Sequence, residues 1–170
     1  MVQRPKASEF PEYYVPYVNL VPEGDLLEIL KEQLEKTTEL FESLSEENAL
    51  HRYDPGKWSI KEVLGHMTDT ERIMSYRLLR VGRGDQTPLA GFNENDYIAE
   101  SNFDELSNKQ LLEDFTAVRK ATSTLINNMP KQAWEKIGIA NNSETTTRAL
   151  AYIIAGHAIH HLKIINERYL

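Results

Sequence analysis

The chain contains no cysteine. Disulfides, thiolate metal ligands and a cysteine nucleophile are therefore excluded, and any metal must be held by histidine, carboxylate or backbone oxygen. Positive charge is also scarce: 19 Lys and Arg stand against 26 Asp and Glu, for a net charge of −7. That balance argues against nonspecific nucleic-acid binding and against attraction to anionic lipid. No run approaches the roughly 18 apolar residues of a membrane span. The opening MVQRPKASEFPEYY lacks the apolar core of a signal peptide. A cytoplasmic protein acting on a small molecule, with neither nucleic acid nor membrane as partner, is the expectation. There is no Gly-rich phosphate loop, no G-x-S-x-G elbow and no H-E-x-x-H. GRGD at 82–85 reads as a turn between helices. Sustained strand alternation is missing as well, which leaves helices.

With 170 residues, 41% of them hydrophobic, the chain can build one domain with a real core. Residues 1–22 stand apart from residues 23–170. They hold Pro5, Pro11, Pro16 and Pro22 together with Tyr13, Tyr14 and Tyr17. So many prolines forbid a continuous helix, and an extended arm with its aromatics packed on the domain surface is expected. The first long helix runs from an Asp25 N-cap to about Leu44, and Asp54-Pro55-Gly56 forces a turn after it. A second helix opens with the Ser59/Glu62 capping box, continues to about Val81 and stops at Gly82-Arg83-Gly84. A long connection over 82–105 follows, with a short helical turn around Asn95–Ala99; loops of this length inside compact domains are often functional. The third helix opens with Ser107 and Gln110 and ends before Pro130, and the fourth starts near Thr145–Thr147 and runs almost to the last residue. Four amphipathic helices of about 20 residues define an all-α four-helix bundle. Acidic bundles often pair as homodimers, but no seam can be named.

His157 and His161 lie four apart in ALAYIIAGHAIHHLKIINER, one turn from each other on one helix face. Leu150, Ile154, Ile164 and Ile165 fall within about 60° of the same direction. Two imidazoles thus point into an apolar core, where each costs free energy unless partnered. A shared divalent cation relieves that cost; hydrogen bonds to neighbouring helices are the plain alternative. A third ligand should come from a facing helix. His66, in GHMTDTE, sits about 120° from the centre of its helix's apolar stripe. That flank suits a ligand reaching sideways and equally suits a partly exposed surface histidine. Glu71 falls near the centre of the same stripe. It is read as an ion-pair partner of an arginine on a neighbouring helix, or as a ligand, a general base or a carboxylate supporting a histidine N–H. His160 is placed at the stripe edge, and His51 in the loop after the first helix, away from the site. Three imidazoles on one divalent ion leave open positions, as catalytic metal sites do.

The segments LVPEGDLLEIL (20–30), YDPGKWSIKEVLGHMTDTERIMSYRLLRVGRGDQTPLAGF (53–92) and IIAGHAIHHLKIINERYL (153–170) resemble the DinB-like superfamily, which includes the YfiT-type proteins. The resemblance implies an up-down-down-up four-helix bundle and a divalent metal, often nickel or zinc. It implies three histidine ligands, one on the second helix and two on the fourth, which here are His66, His157 and His161. Members with assigned activities are thiol-dependent transferases or isomerases using bacillithiol, mycothiol or glutathione; many others have no known substrate. The expected function is thus a metal-dependent S-transferase with a bacillithiol-type thiol as cosubstrate. A metal-dependent hydrolase, or a non-catalytic metal-binding stress protein, is the alternative.

Overall fold

The computed structural model describes residues 2–170. In chain order its helices are α1 (Val15–Leu20), α2 (Leu26–Ser43), α3 (Glu46–Ala49), α4 (Ile60–Gly82), α5 (Glu94–Ala99), α6 (Asn108–Asn127) and α7 (Thr147–Ile164). Side-chain caps define the starts of the long helices. Asp25 accepts from Leu27 N, Thr146 accepts from Ala149 N, and Ser59/Glu62 and Ser107/Gln110 each form a full capping box.

The four long helices form a bundle with two hydrophobic clusters. One gathers Leu26 and Leu30 of α2, Leu78 and Val81 of α4, Ile126 of α6, and Ala149 and Leu150 of α7. The other gathers Phe41 of α2, Ile60 and Leu64 of α4, Leu111 and Phe115 of α6, and Ala158 of α7. The start of α2 therefore meets the ends of α4 and α6 and the start of α7, which is an up-down-down-up order. α4 and α6 run the same way, so the chain between them must climb the bundle from one end to the other. The 23-residue α4 is about 34 Å long at 1.5 Å per residue. A tight turn cannot span that, which explains the long connection after Gly82.

Two local features differ from the sequence expectation. A β-hairpin, β1 (Ile137–Ala140) paired antiparallel with β2 (Ser143–Thr146), interrupts the connection between α6 and α7. Its two-residue turn is Asn141-Asn142, with φ of 50° and 60°. Asparagine tolerates this left-handed region better than other non-glycine residues, and two-residue hairpins of type I′ require it at both positions. Strands of four residues are too short to show alternation. Leu89 joins the hairpin through Leu89 N–Ile139 O and Asn141 N–Leu89 O hydrogen bonds of 2.9 Å each, tying the long connection down.

The N-terminal segment is the second difference. It is not one continuous helix, but neither is it wholly extended. It takes 3-10 turns at Ala7–Glu9 and Glu12–Tyr14 and then forms α1, with Pro16 in the first turn where its missing N–H costs nothing. Some of its apolar residues go inside: Phe10, Val18 and Val21 are buried in the first cluster. Glu9 anchors it through Arg148, at 2.6 Å on both oxygens, and through Thr146 at 2.9 Å. α1 crosses α7 where Gly156 has no side chain.

Candidate metal centre

The site lies where the two clusters meet, between α4 and α7. His66 Nε2 is 3.0 Å from His157 Nε2, which is 3.0 Å from His161 Nε2. The one-turn spacing on α7 supplies the second pair, and the packing of α4 on α7 supplies the first. His66, ambiguous on its own helix, is buried and turned toward the other two.

Burial holds all three rings neutral. It lowers the His66 pKa to about 4, with the charge of His160 adding to the effect. It drives His157 and His161 well below the usual histidine range, reinforced by the neighbouring rings. Neutral rings in this arrangement cannot all satisfy one another. His157 Nε2 offers either one N–H or one lone pair and faces two partners, so only one of the two contacts can be a full hydrogen bond. Thr70 Oγ1 stands 3.5 Å from His66 Nδ1, on the far side of the ring, where it can accept Nδ1–H and leave Nε2 as a lone-pair donor. Two nitrogens bound at about 2.0–2.1 Å and roughly 90–110° round one ion lie about 2.8–3.4 Å apart. The donor set and the two 3.0 Å spacings fit a divalent transition-metal cation.

Glu71 is not part of this cluster. It is buried and both its oxygens take Arg119 of α6, at 2.8–3.0 Å. Arg119 also donates to Gln33 Oε1 at 2.7 Å and Leu30 O at 3.1 Å, and Gln33 Nε2 donates to Ala155 O at 3.1 Å. The residue is thus the ion-pair partner, not a ligand or the support of a histidine N–H; its network joins α2, α4, α6 and α7 just beneath the site. His160 stands outside the convergence, its ring edge-on to Tyr17 and to His161 at 5.0 Å each. His51 lies 6.2 Å from the Tyr169 ring and contributes nothing to the site.

The three histidines line a cavity of about 210 Å³. Trp58, one residue before the Ser59 cap, sets its ring 4.8 Å from that of His66. Tyr17 of α1 lies 5.8 Å from His157. Tyr14, Arg77, Phe92 and Asn141 complete the wall from the arm, α4, the long connection and the hairpin turn. None of these had a signal in periodicity, although Trp58 lies in the K-W-S run. They are brought in by crossings that local sequence does not encode.

The bundle thus converges three histidines from two facing helices, a cluster that could hold a metal ion, beneath an aromatic cavity. A family model narrows this: residues 29–165 match the DinB superfamily, and the chain belongs to it. YfiT from Bacillus subtilis, described as a probable metal-dependent hydrolase with an unusual four-helix bundle topology, superposes with a TM-score of 0.72 at 15% identity, covering 97% of this chain and 90% of that one. The mycothiol-dependent maleylpyruvate isomerase superposes with a TM-score of 0.67 at 12% identity, covering 85% of this chain and 61% of that one. At such identities the likeness is one of fold. No curated protein matches the sequence. No helix is long and apolar enough to cross a membrane among the described residues.

Proposed function

We propose that this protein is a metal-dependent enzyme whose reaction transfers a small thiol of the bacillithiol type to an electrophile, with His66, His157 and His161 holding nickel or zinc. The convergence of three neutral nitrogen donors in the wall of an aromatic cavity carries the reading. A divalent cation held there, with coordination positions left open, lowers the pKa of a thiol placed on it. The three rings are positioned by only two helices, so the donors are preassembled. Trp58 and Tyr17 screen the rings from bulk water, which strengthens electrostatic interactions inside. The sulfur arrives with the cosubstrate, since the chain has none of its own as cysteine.

Transfer of a thiol is favoured over hydrolysis by the fate of Glu71. Hydrolysis draws on a general base beside the attacking water. Here Glu71 is fully engaged by Arg119, and the carboxylate lining the cavity, Glu94, is not hydrogen-bonded to any of the three rings. The mycothiol-dependent isomerase offers a precedent for thiol chemistry on this fold.

Cobalt-substituted protein provides the test. Adding bacillithiol, or cysteine as a surrogate, should produce a sulfur-to-metal charge-transfer band and accelerate conjugation of a generic electrophile, and His157→Ala should remove both. Turnover of ester or amide panels without any thiol dependence would replace this reading with hydrolysis, the chemistry attributed to YfiT. A metal spectrum indifferent to every thiol, with no turnover, would leave a non-catalytic metal-binding protein.

A further inference from the structure

Among the described residues three lysine and arginine side chains are buried: Lys61, Arg77 and Arg119. Two have carboxylate partners. Lys61 donates to Glu46 Oε2 at 2.6 Å, and Arg119 is held by both oxygens of Glu71. Arg77 is the exception. It is 3% exposed, yet among the described residues it forms no ion pair. Its Nη2 donates to Ala90 O at 2.7 Å, its Nη1 reaches the Met74 sulfur at 3.5 Å, the neutral Tyr14 hydroxyl stands beside the guanidinium, and the guanidinium lies 5.8 Å from the centre of the Phe92 ring. Five N–H donors and a full positive charge are thus served by one backbone carbonyl and a neutral hydroxyl, with no carboxylate paired to the charge. A buried cation left this way is costly unless something compensates it.

Arg77 lines the same cavity as the three histidines. His66, Thr70, Met74 and Arg77 form one stripe of α4 along its wall, and the axial rise from His66 to Arg77 is about 16 Å at 1.5 Å per residue. Side chains on a helix tilt toward its N-terminus, so Arg77 leans back toward the histidine end. Its planar fork matches a carboxylate through two parallel hydrogen bonds. Phe92 and Tyr14 beside it supply flat apolar surface.

We propose that Arg77 is the anion-binding residue of this cavity, and that the substrate or cosubstrate bound there is a carboxylate whose acid group pairs with Arg77 while the rest of the molecule extends toward the three histidines. The proposal rests on the cavity being the substrate pocket and adds its ligand class. One further carboxylate, Glu94 at the start of α5, also lines the cavity, but it pairs with no basic residue. Its negative charge weakens the hold on a bound anion.

Calorimetric titration of 3-phenylpropionate and of 3-phenylpropionamide into the full chain at pH 7.5, both metal-loaded and stripped with EDTA, tests this. The acid should bind at least tenfold more tightly than the amide in both forms. Arg77→Met should abolish the preference while leaving amide affinity unchanged, and Arg77→Lys should retain part of it. Glu94→Gln should tighten the acid further. Equal affinities for acid and amide in the stripped wild-type protein, or no binding of either, overturn the proposal whatever the variants do. So does an acid preference confined to the metal-loaded form, because the cation and not Arg77 then holds the carboxylate. A preference that persists in protein shown to lack thiol chemistry supports the Arg77 assignment and removes only the transferase reading.

Discussion

Replacing Gly156 by alanine pits two effects of opposite sign against each other. In a helix interior, glycine to alanine normally stabilises by about 1 kcal/mol through backbone entropy. At this position, however, the new Cβ would lie 2.1 Å from Tyr17 O and 2.5 Å from Tyr17 C. The obstacle is backbone, not the end of a flexible side chain. Relief requires α1 to move by about 1.4 Å to reach ordinary van der Waals separation. α1 is held by buried Val18 and Val21 and by the Glu9–Arg148 anchor, so it cannot shift freely. Overpacking of this kind costs about 1–3 kcal/mol and more where backbone is involved. The net expectation is a loss of about 1–2 kcal/mol, or a fall in melting temperature of roughly 2–8 °C for a domain of this size. Thermal unfolding monitored by circular dichroism reads it directly. Because Tyr17 flanks His157, the same variant should make the cavity more accessible to collisional quenchers of Trp58. A Gly156→Ala protein that melts higher than wild type would refute the close crossing of the arm over α7.

Further expectations follow from the same contacts. Saturating nickel or zinc should raise the stability of wild-type protein by about 3–4 kcal/mol at 100–1,000 times the dissociation constant; His161→Ala should fold but lose the gain, and identical melting of apo and metal-loaded wild type would count against the ligand set. Glu71→Gln leaves Arg119 buried without its counter-charge and should cost about 3–5 kcal/mol in denaturant unfolding, while metal stoichiometry stays at one per chain. Glu9, held by Arg148, has its pKa lowered from 4.5 to about 2. The folded value lies below the unfolded one, so its contribution is complete above pH 4.5 and is lost as pH falls through 2. The stability gap between wild type and Glu9→Gln should therefore close over that range, and a gap that stays constant down to pH 2 would show that the anchor is not ionic.

Much of the fold was legible because its signals are local. Ser59 with Glu62, Ser107 with Gln110, and Asp25 mark helix starts through hydrogen bonds made within four residues. The short helix expected around Asn95–Ala99 in the long connection is observed at Glu94–Ala99. The hairpin was not, since four-residue strands carry too little pattern and their turn uses Asn-Asn. Nor was the inward packing of Phe10, Val18 and Val21, because the prolines of that segment dominate its local reading.

At the site, the sequence alone determined that any metal must be held without cysteine and that His157 and His161 share one face, since that pairing is a property of a single helix turn. It could not orient His66 by periodicity: a flank residue points into the core or out of it depending on which helix packs against that flank. Only the crossing of α4 on α7 decides that, and it brings His66 Nε2 to 3.0 Å from His157 Nε2. The same holds for Glu71, whose partner Arg119 stands 48 residues away, and for Arg77, which is an ordinary helix arginine until the long connection folds over it and leaves its charge inside. These pairings lie in the relative placement of helices, which is set by the total burial of all their faces and not by any segment read on its own.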